Sequence, residues 1–294
     1  MFNSAADASH KSVGSKVGAV SCLVLLLMPA FERLTAAELK PETIHAWDIY
    51  VTATKERLER RARGELPFLR VDEERDLARR VRAGELLVEP EGGQSPRTVP
   101  RGLIHDWSGA IFLPEVKLDD ALRVLNNYSR YPDFYKNLVT KSKLLEQSPD
   151  REKVTLLMMQ KVFSVTAAVE IDDDVEIKKL DPDRAYTLSN SVQVREISDF
   201  GTANQHALPE GHGPGYVWRT LTITRLEQRD GGVYTEMEII AMSRGIPFTL
   251  RWLVRPLAER ISRSLLLTTL QDTRDAVKQE CKTQNGEQTL GGRQ

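Results

Sequence analysis

The chain has 294 residues, of which 40% are hydrophobic and 28% are charged, and its formal net charge is −1. This length can supply a hydrophobic core without help from metals or disulfides. The near-zero charge argues against a nucleic-acid binder, because such proteins place many Lys and Arg side chains on one face to neutralise phosphates.

The N-terminal segment has the pattern of a signal peptide. Lys11 and Lys16 precede an apolar run over residues 17–30, and residues 35–37 supply small side chains for cleavage. We therefore expect residues 1–37 to be removed and the protein to be exported to the periplasm or the cell exterior. The mature chain would then keep one cysteine, Cys281, and no internal disulfide. A retained membrane anchor is the alternative, although the run is shorter than the roughly 20 residues that a spanning helix needs.

Residues 38–99 are predicted to form a helical extension followed by a linker. The first helix is indicated by Pro41, which suits a first turn, and by an apolar stripe at helical spacing made of Ile44, Trp47, Val51 and Leu58. A shorter helix is expected over residues 72–83. Residues 89–100 are rich in Pro, Gly and Ser, which is typical of a linker.

After residue 100 the pattern changes to strands. A strand over residues 109–113 is followed by short helices over 119–125 and 128–135. Six strand-like runs with short turns between them then predict an antiparallel meander, at about 138–145, 153–163, 165–177, 184–197, 216–226 and 233–242. A long amphipathic helix from about residue 250 closes the domain, and residues 283–294 are expected to be a disordered tail.

This order of elements, together with Tyr131-Pro132-Asp133-Phe134 in the second short helix, resembles the START and polyketide-cyclase-like (SRPBCC) superfamily and especially its ubiquinone-binding START-domain branch. The resemblance covers residues 100–282. It implies an α+β helix-grip fold, in which a curved antiparallel sheet wraps around the long C-terminal helix. Between sheet and helix, such domains leave a cavity for lipids, sterols, quinones or polyketides.

Strand alternation and the stripe of the last helix suggest which residues line that cavity. Small Ala167 and adaptable Met158 and Met237 suit an irregular apolar guest, and Asn190 or Arg219 could orient a polar headgroup. The alternatives are a filled core and, for Arg219, an exposed strand end. The predicted ligand-binding residues are Met158, Val165, Ala167, Asn190, Val192, Arg219, Leu221, Met237, Ile239, Leu253, Leu257 and Ile261.

Motifs for catalysis or metal binding are sparse. The chain lacks a Gly-x-Ser-x-Gly elbow, a P-loop and a Cys-x-x-Cys pair, and His206 and His212 lack metal-ligand spacing. His105 and Asp106 adjoin in a strand and are expected on opposite faces. The run over residues 172–174 is expected at a charged strand end.

The favoured function is therefore binding or transfer of a hydrophobic small molecule, such as a lipid or quinone. We expect transient membrane contact, and no cofactor, metal or nucleic-acid partner. The alternative is an enzyme of the cyclase or dehydratase kind acting on a polyketide-like substrate, with Arg219, Asn190 or Tyr186 handling protons.

Overall fold

The computed structural model describes residues 37–162 and 165–291; the side chains of residues 162, 165, 248, 251, 253 and 284–291 are outside the description. The predicted signal peptide thus falls almost wholly outside the described residues and stays a prediction. The described residues form one compact unit.

An antiparallel sheet of ten strands dominates the described residues. Its main path runs β2-β4-β12-β11-β8-β7-β6-β5, with β3 also paired to β4 and β9 to β8, while β1 and β10 pair separately. The strands are β1 (Ala37–Glu38), β2 (Leu87–Pro90), β3 (Arg97–Val99), β4 (Gly102–Pro114), β5 (Val139–Gln147), β6 (Arg151–Val162), β7 (Val165–Lys179), β8 (Arg184–Ser198), β9 (His206–Ala207), β10 (His212–Gly213), β11 (Arg219–Arg229) and β12 (Gly232–Arg244).

Five α-helices and four 3-10 turns accompany these strands in the described ranges. None of the helices there has the length and apolar composition needed to cross a membrane. The helices are α1 (Pro41–Ala62), α2 (Leu77–Arg82), α3 (Leu118–Leu125), α4 (Tyr131–Phe134) and α5 (Arg251–Gly291), and the 3-10 turns are Arg70–Asp72, Glu91–Gly93, Tyr128–Arg130 and Phe248–Leu250. Helix α5 therefore extends into residues 283–294, where the sequence suggested a disordered tail.

We call the sheet face that packs against α3, α4 and α5 the inner face. Trp107, Ile111 and Met237 pack there in one buried cluster with Leu266 and Leu270 of α5. The helix lies close to the sheet at Gly109, where an added Cβ would lie 2.6 Å from Cδ1 of Leu270. The α+β helix-grip architecture predicted from the sequence is confirmed.

The N-terminal extension covers the opposite, outer face. Trp47 and Val51 of α1 pack on Leu221 and Ile240, and α2 and its neighbouring 3-10 turn pack on Phe112. The prediction of a linker over residues 89–100 was wrong. Strand β3 lies within this stretch and β2 overlaps its beginning, and both strands pair with β4. With helices on both faces, β4 is buried almost throughout its length, as expected of a strand between two layers.

Candidate functional site

The predicted ligand-binding residues are divided between the two faces. Met158, Met237 and Ile239 belong to the inner cluster or pack against it. Ala167 is two residues before Val169 on β7, so it shares the inner side with it. Leu257 and Ile261 lie in the first half of α5. The side chains of Val165 and Leu253 are outside the described residues.

Three other predicted residues lie on the outer face. Leu221 packs under α1, and its cross-strand partner is Asn190. Asn190 and Arg219 line a pocket of about 380 Å³ beside α1, where Arg219 forms an ion pair of 2.7 Å with Glu210. Val192 is exposed where the β7–β8 register shifts. The structure therefore does not bring the twelve residues together, because alternation defines the sides of one strand without saying which side faces α5.

An accessible strip lies on the inner face of the central strands. Ile239 and Thr222 are cross-strand partners, and both are partly exposed, as is Ala241. Leu221 and Ile240, the next residues along the two strands, point to the outer face and are fully buried. The extension thus buries Leu221 and Ile240 on the outer face, whereas Ile239 and Thr222 on the inner face stay partly accessible.

The beginning and the middle of α5 also differ in how far their apolar side chains are buried. Leu257 and Ile261, near the beginning of α5, are only partly buried, whereas Leu266 and Leu270, near its middle, are buried completely. The beginning of α5 therefore leaves apolar side chains partly accessible. We call these accessible residues, Thr222, Ile239, Ala241, Leu257 and Ile261, the inner cleft; that they line one site belongs to the proposed function.

Polar groups border this cleft on β4. His105 is the cross-strand partner of Ala241, and Trp107 that of Ile239. Nε2 of His105 shares a hydrogen bond of 2.9 Å with Oγ of Ser243, but Nδ1 of His105 and Nε1 of Trp107 are buried without a hydrogen-bond partner. Burial lowers the pKa of His105 to about 4, so its imidazole is neutral near pH 7.

The expected separation of His105 from Asp106 is confirmed. His105 faces inward, whereas Asp106 is fully buried on the outer face and accepts a hydrogen bond of 2.7 Å from the hydroxyl of Tyr50. The acidic run over residues 172–174 lies in the middle of β7, not at a strand end. Asp173 is buried there, and burial raises its pKa to about 6.

A buried charge cluster joins the extension to the outer face. Glu236 accepts hydrogen bonds of 2.8 Å from the backbone N–H groups of Arg70 and Val71. Arg225 lies 3.1 Å from Glu236 and 3.6 Å from Glu238, and Arg57 of α1 pairs with Glu238 at 2.5 Å. Sequence alternation identified the two glutamates as facing away from Met237, but not that the extension would bury them.

Metal-binding residues do not cluster: within the described ranges, no three His, Cys, Asp or Glu side chains come together as a ligand set. The imidazoles of His206 and His212 each share a hydrogen bond with a backbone carbonyl of their own loop, from Asn204 and Glu210 respectively.

Among known proteins, no family model and no curated protein matches this sequence. Solved structures do match. A fragment of the STAR-related lipid transfer protein from Xanthomonas axonopodis is 14% identical with a TM-score of 0.40, and the match covers 62% of this chain and 96% of that one. Human STARD10 is 6% identical with a TM-score of 0.42, and the match covers 66% of this chain and 76% of that one. The di-domain ARO/CYC StfQ from the steffimycin biosynthetic pathway is 13% identical with a TM-score of 0.37, and the match covers 61% of this chain and 52% of that one.

Identities and TM-scores of this size are too low to transfer a function. The fold assignment therefore rests on the strand order of this chain and on the helices that cover its inner face. On that basis the chain has an α+β helix-grip fold.

Proposed function

We propose that this protein binds or transfers a hydrophobic small molecule, such as a lipid or a quinone, in the inner cleft. The observation that carries the proposal is the contrast between the two faces of the central strands. Ile239 and Thr222 remain partly exposed on the inner face, while Leu221 and Ile240 beside them are fully buried. Apolar surface left accessible inside a fold is the usual lining of a site for an apolar ligand.

Two unpartnered nitrogens support a ligand with one polar end. The indole N–H of Trp107 is a donor without an acceptor, and Nδ1 of His105 also has no partner. Such buried polar atoms are destabilising unless they find a hydrogen bond. A carbonyl or hydroxyl oxygen on the guest would satisfy the indole N–H, while its apolar part covers Ile239 and Leu257.

The residues considered for a cyclase or dehydratase do not support that alternative. Arg219, Asn190 and Tyr186 all belong to the outer face, where Tyr186 packs in the cluster under α1. A proton-transfer group must reach the reacting atoms of the substrate, and these three side chains lie across the sheet from the inner cleft.

Export and transient membrane contact are part of the proposal. Trp252, at the start of α5, is 73% exposed. A basic side chain, Arg255, follows within one turn. Exposed Trp together with Arg suits the interface between lipid headgroups and water, so this end of the helix is the part that we expect to meet a membrane.

The direct test is mass spectrometry of an organic-solvent extract of purified protein. We expect an apolar compound at near one equivalent, displaced when the protein is incubated with an apolar fluorescent probe. A protein whose extract contains no such compound, and which binds no apolar probe, does not have this function.

A further inference from the structure

A second pocket opens between α3, the turn from β5 to β6 and the end of β7. Its volume is about 540 Å³, and it shares no lining residue with the inner cleft. Apolar, amide and charged side chains line it, among them Leu122, Asn126, Gln147, Glu152, Ile177 and Lys179. We call this space the Glu152 pocket.

Glu152 is the feature of the pocket that needs an explanation. Its side chain faces the pocket although the residue is only 2% exposed. Oε1 accepts a hydrogen bond of 2.8 Å from Nε2 of Gln147, and Oε2 is buried without a partner. A buried carboxyl oxygen with no donor is destabilising, so an N–H or O–H group supplied by a ligand would be stabilising.

A second carboxyl stands behind the first. The cross-strand partner of Asp173 is Val154, two residues from Glu152, so the two acids are diagonal neighbours on one face, with Cα atoms roughly 7–8 Å apart. Asp173 is 8% exposed, and its Oδ1 also lacks a partner. Glu152 lines the pocket, and Asp173 places a second carboxyl behind it.

The basic residues of the pocket are already paired. Nζ of Lys179 lies 2.5 Å from Asp119, and Arg123 forms an ion pair with Asp120. These pairs leave the charges of Glu152 and Asp173 uncompensated by the rim. The carboxylates of Glu152 and Asp173 would therefore repel an anionic ligand and attract a cationic one.

We propose that the Glu152 pocket binds a small organic cation: a primary ammonium group on a short apolar body. The ammonium donates a hydrogen bond to Oε2 of Glu152, and Asp173 adds a second negative charge nearby. The hydrocarbon part contacts Leu122 and Ile177. An ammonium fits better than a hydroxyl because it carries three donors and a full positive charge. This site is independent of the function proposed for the inner cleft.

The test compares hexylamine, 1-hexanol and hexanoate, which share one chain length, by ligand-observed NMR titration of the full chain near pH 7. We expect hexylamine to bind about tenfold or more tightly than hexanol, as a charge-assisted hydrogen bond implies, and hexanoate to bind most weakly. Equal affinities for amine and alcohol, or no binding of the amine, would overturn the proposal without using any variant.

Two isosteric variants locate the site. Glu152→Gln should lower hexylamine affinity to that of hexanol. Glu146→Gln is the matched control, because Glu146 lies on adjacent β5 with a side chain 66% exposed and paired to Lys153; it should leave the amine preference unchanged. An undiminished preference in folded Glu152→Gln protein contradicts the proposal. Leu257→Asp, in the inner cleft, should not alter hexylamine binding, which separates this site from the cleft.

Discussion

The hydroxyl of Tyr50 in α1 donates a hydrogen bond of 2.7 Å to Oδ2 of Asp106, a carboxyl fully buried in the outer face of the sheet. Burial raises the pKa of Asp106 from 3.8 to about 8, and the nearby charge of Glu238 adds to the rise. The folded protein thus keeps a proton on Asp106 at pH values where the unfolded chain has released it.

The stability contributed by this proton should depend on pH with a definite sign. Because the folded-state pKa is the higher one, the contribution is fully present below about pH 4 and is lost as the pH rises through about 8. Asp106→Asn cannot ionise, so its free energy of unfolding should fall less than that of the wild type between about pH 5 and about pH 9. Urea unfolding at several pH values measures this. Asp48→Asn, at an exposed position of α1, should follow the wild type, and parallel curves for Asp106→Asn would refute the assignment.

Removing Arg225 should destabilise the protein far more than removing a surface arginine. Arg225 is fully buried between Glu236 and Glu238, and loss of one partner from a buried pair costs about 3–5 kcal/mol. We expect this loss for Arg225→Met in denaturant unfolding. Arg79→Met removes an exposed ion pair, with Arg79 77% exposed, and should cost less than about 1 kcal/mol. Similar losses of unfolding free energy for both variants would show that the buried pairs of Arg225 do not stabilise the fold.

Leu257→Asp should weaken binding of an apolar fluorescent probe by about tenfold or more, because a carboxylate in the inner cleft must be desolvated when the guest enters. Fluorescence titration gives the equilibrium affinity. The control is Ile49→Asp, which places the same charge at a position of α1 that is 59% exposed, and it should bind as the wild type does. If a folded Leu257→Asp variant binds the probe as tightly as the wild type, α5 does not line the site.

N-terminal processing is the last prediction. Cleavage after Ala37 would leave Leu39 donating its backbone N–H to the carbonyl of Gly211 at 2.9 Å, so the rest of the β1 contact would survive. N-terminal sequencing of protein recovered from the producing cell should begin at Glu38. Recovery of the intact chain in the membrane fraction would favour the retained anchor instead.

The sequence predicted the strands and the terminal helix well because their patterns are local. Alternation placed Met237 and Ile239 on one side of β12 and Glu236 and Glu238 on the other, and the structure agrees. Alternation cannot say which covering layer each side meets. Arg219 and Leu221 were therefore grouped with Met237, although they lie across the sheet from it.

The buried polar groups were harder to foresee. Asp173 belongs to an acidic run that looks solvated when read locally, and its burial follows only from the long-range pairing of β6, β7 and β8. Glu152 likewise stands among charged residues at the beginning of β6. Charge predicts exposure on average, and such exceptions become visible only when the neighbouring strands and α3 are in place.

The pairing of β4 with β12, from Gly102 opposite Arg244 to Pro114 opposite Gly232, has a consequence for synthesis. At roughly 5–20 residues per second, a ribosome needs on the order of ten seconds between finishing these two strands. During that interval the apolar run of β4 has no strand paired to it on the β12 side. Arg57 also lacks its ion-pair partner Glu238 until β12 is synthesised. The nascent chain should therefore depend on holding chaperones until β12 emerges, and a stall before residue 232 should yield aggregated rather than partly folded protein.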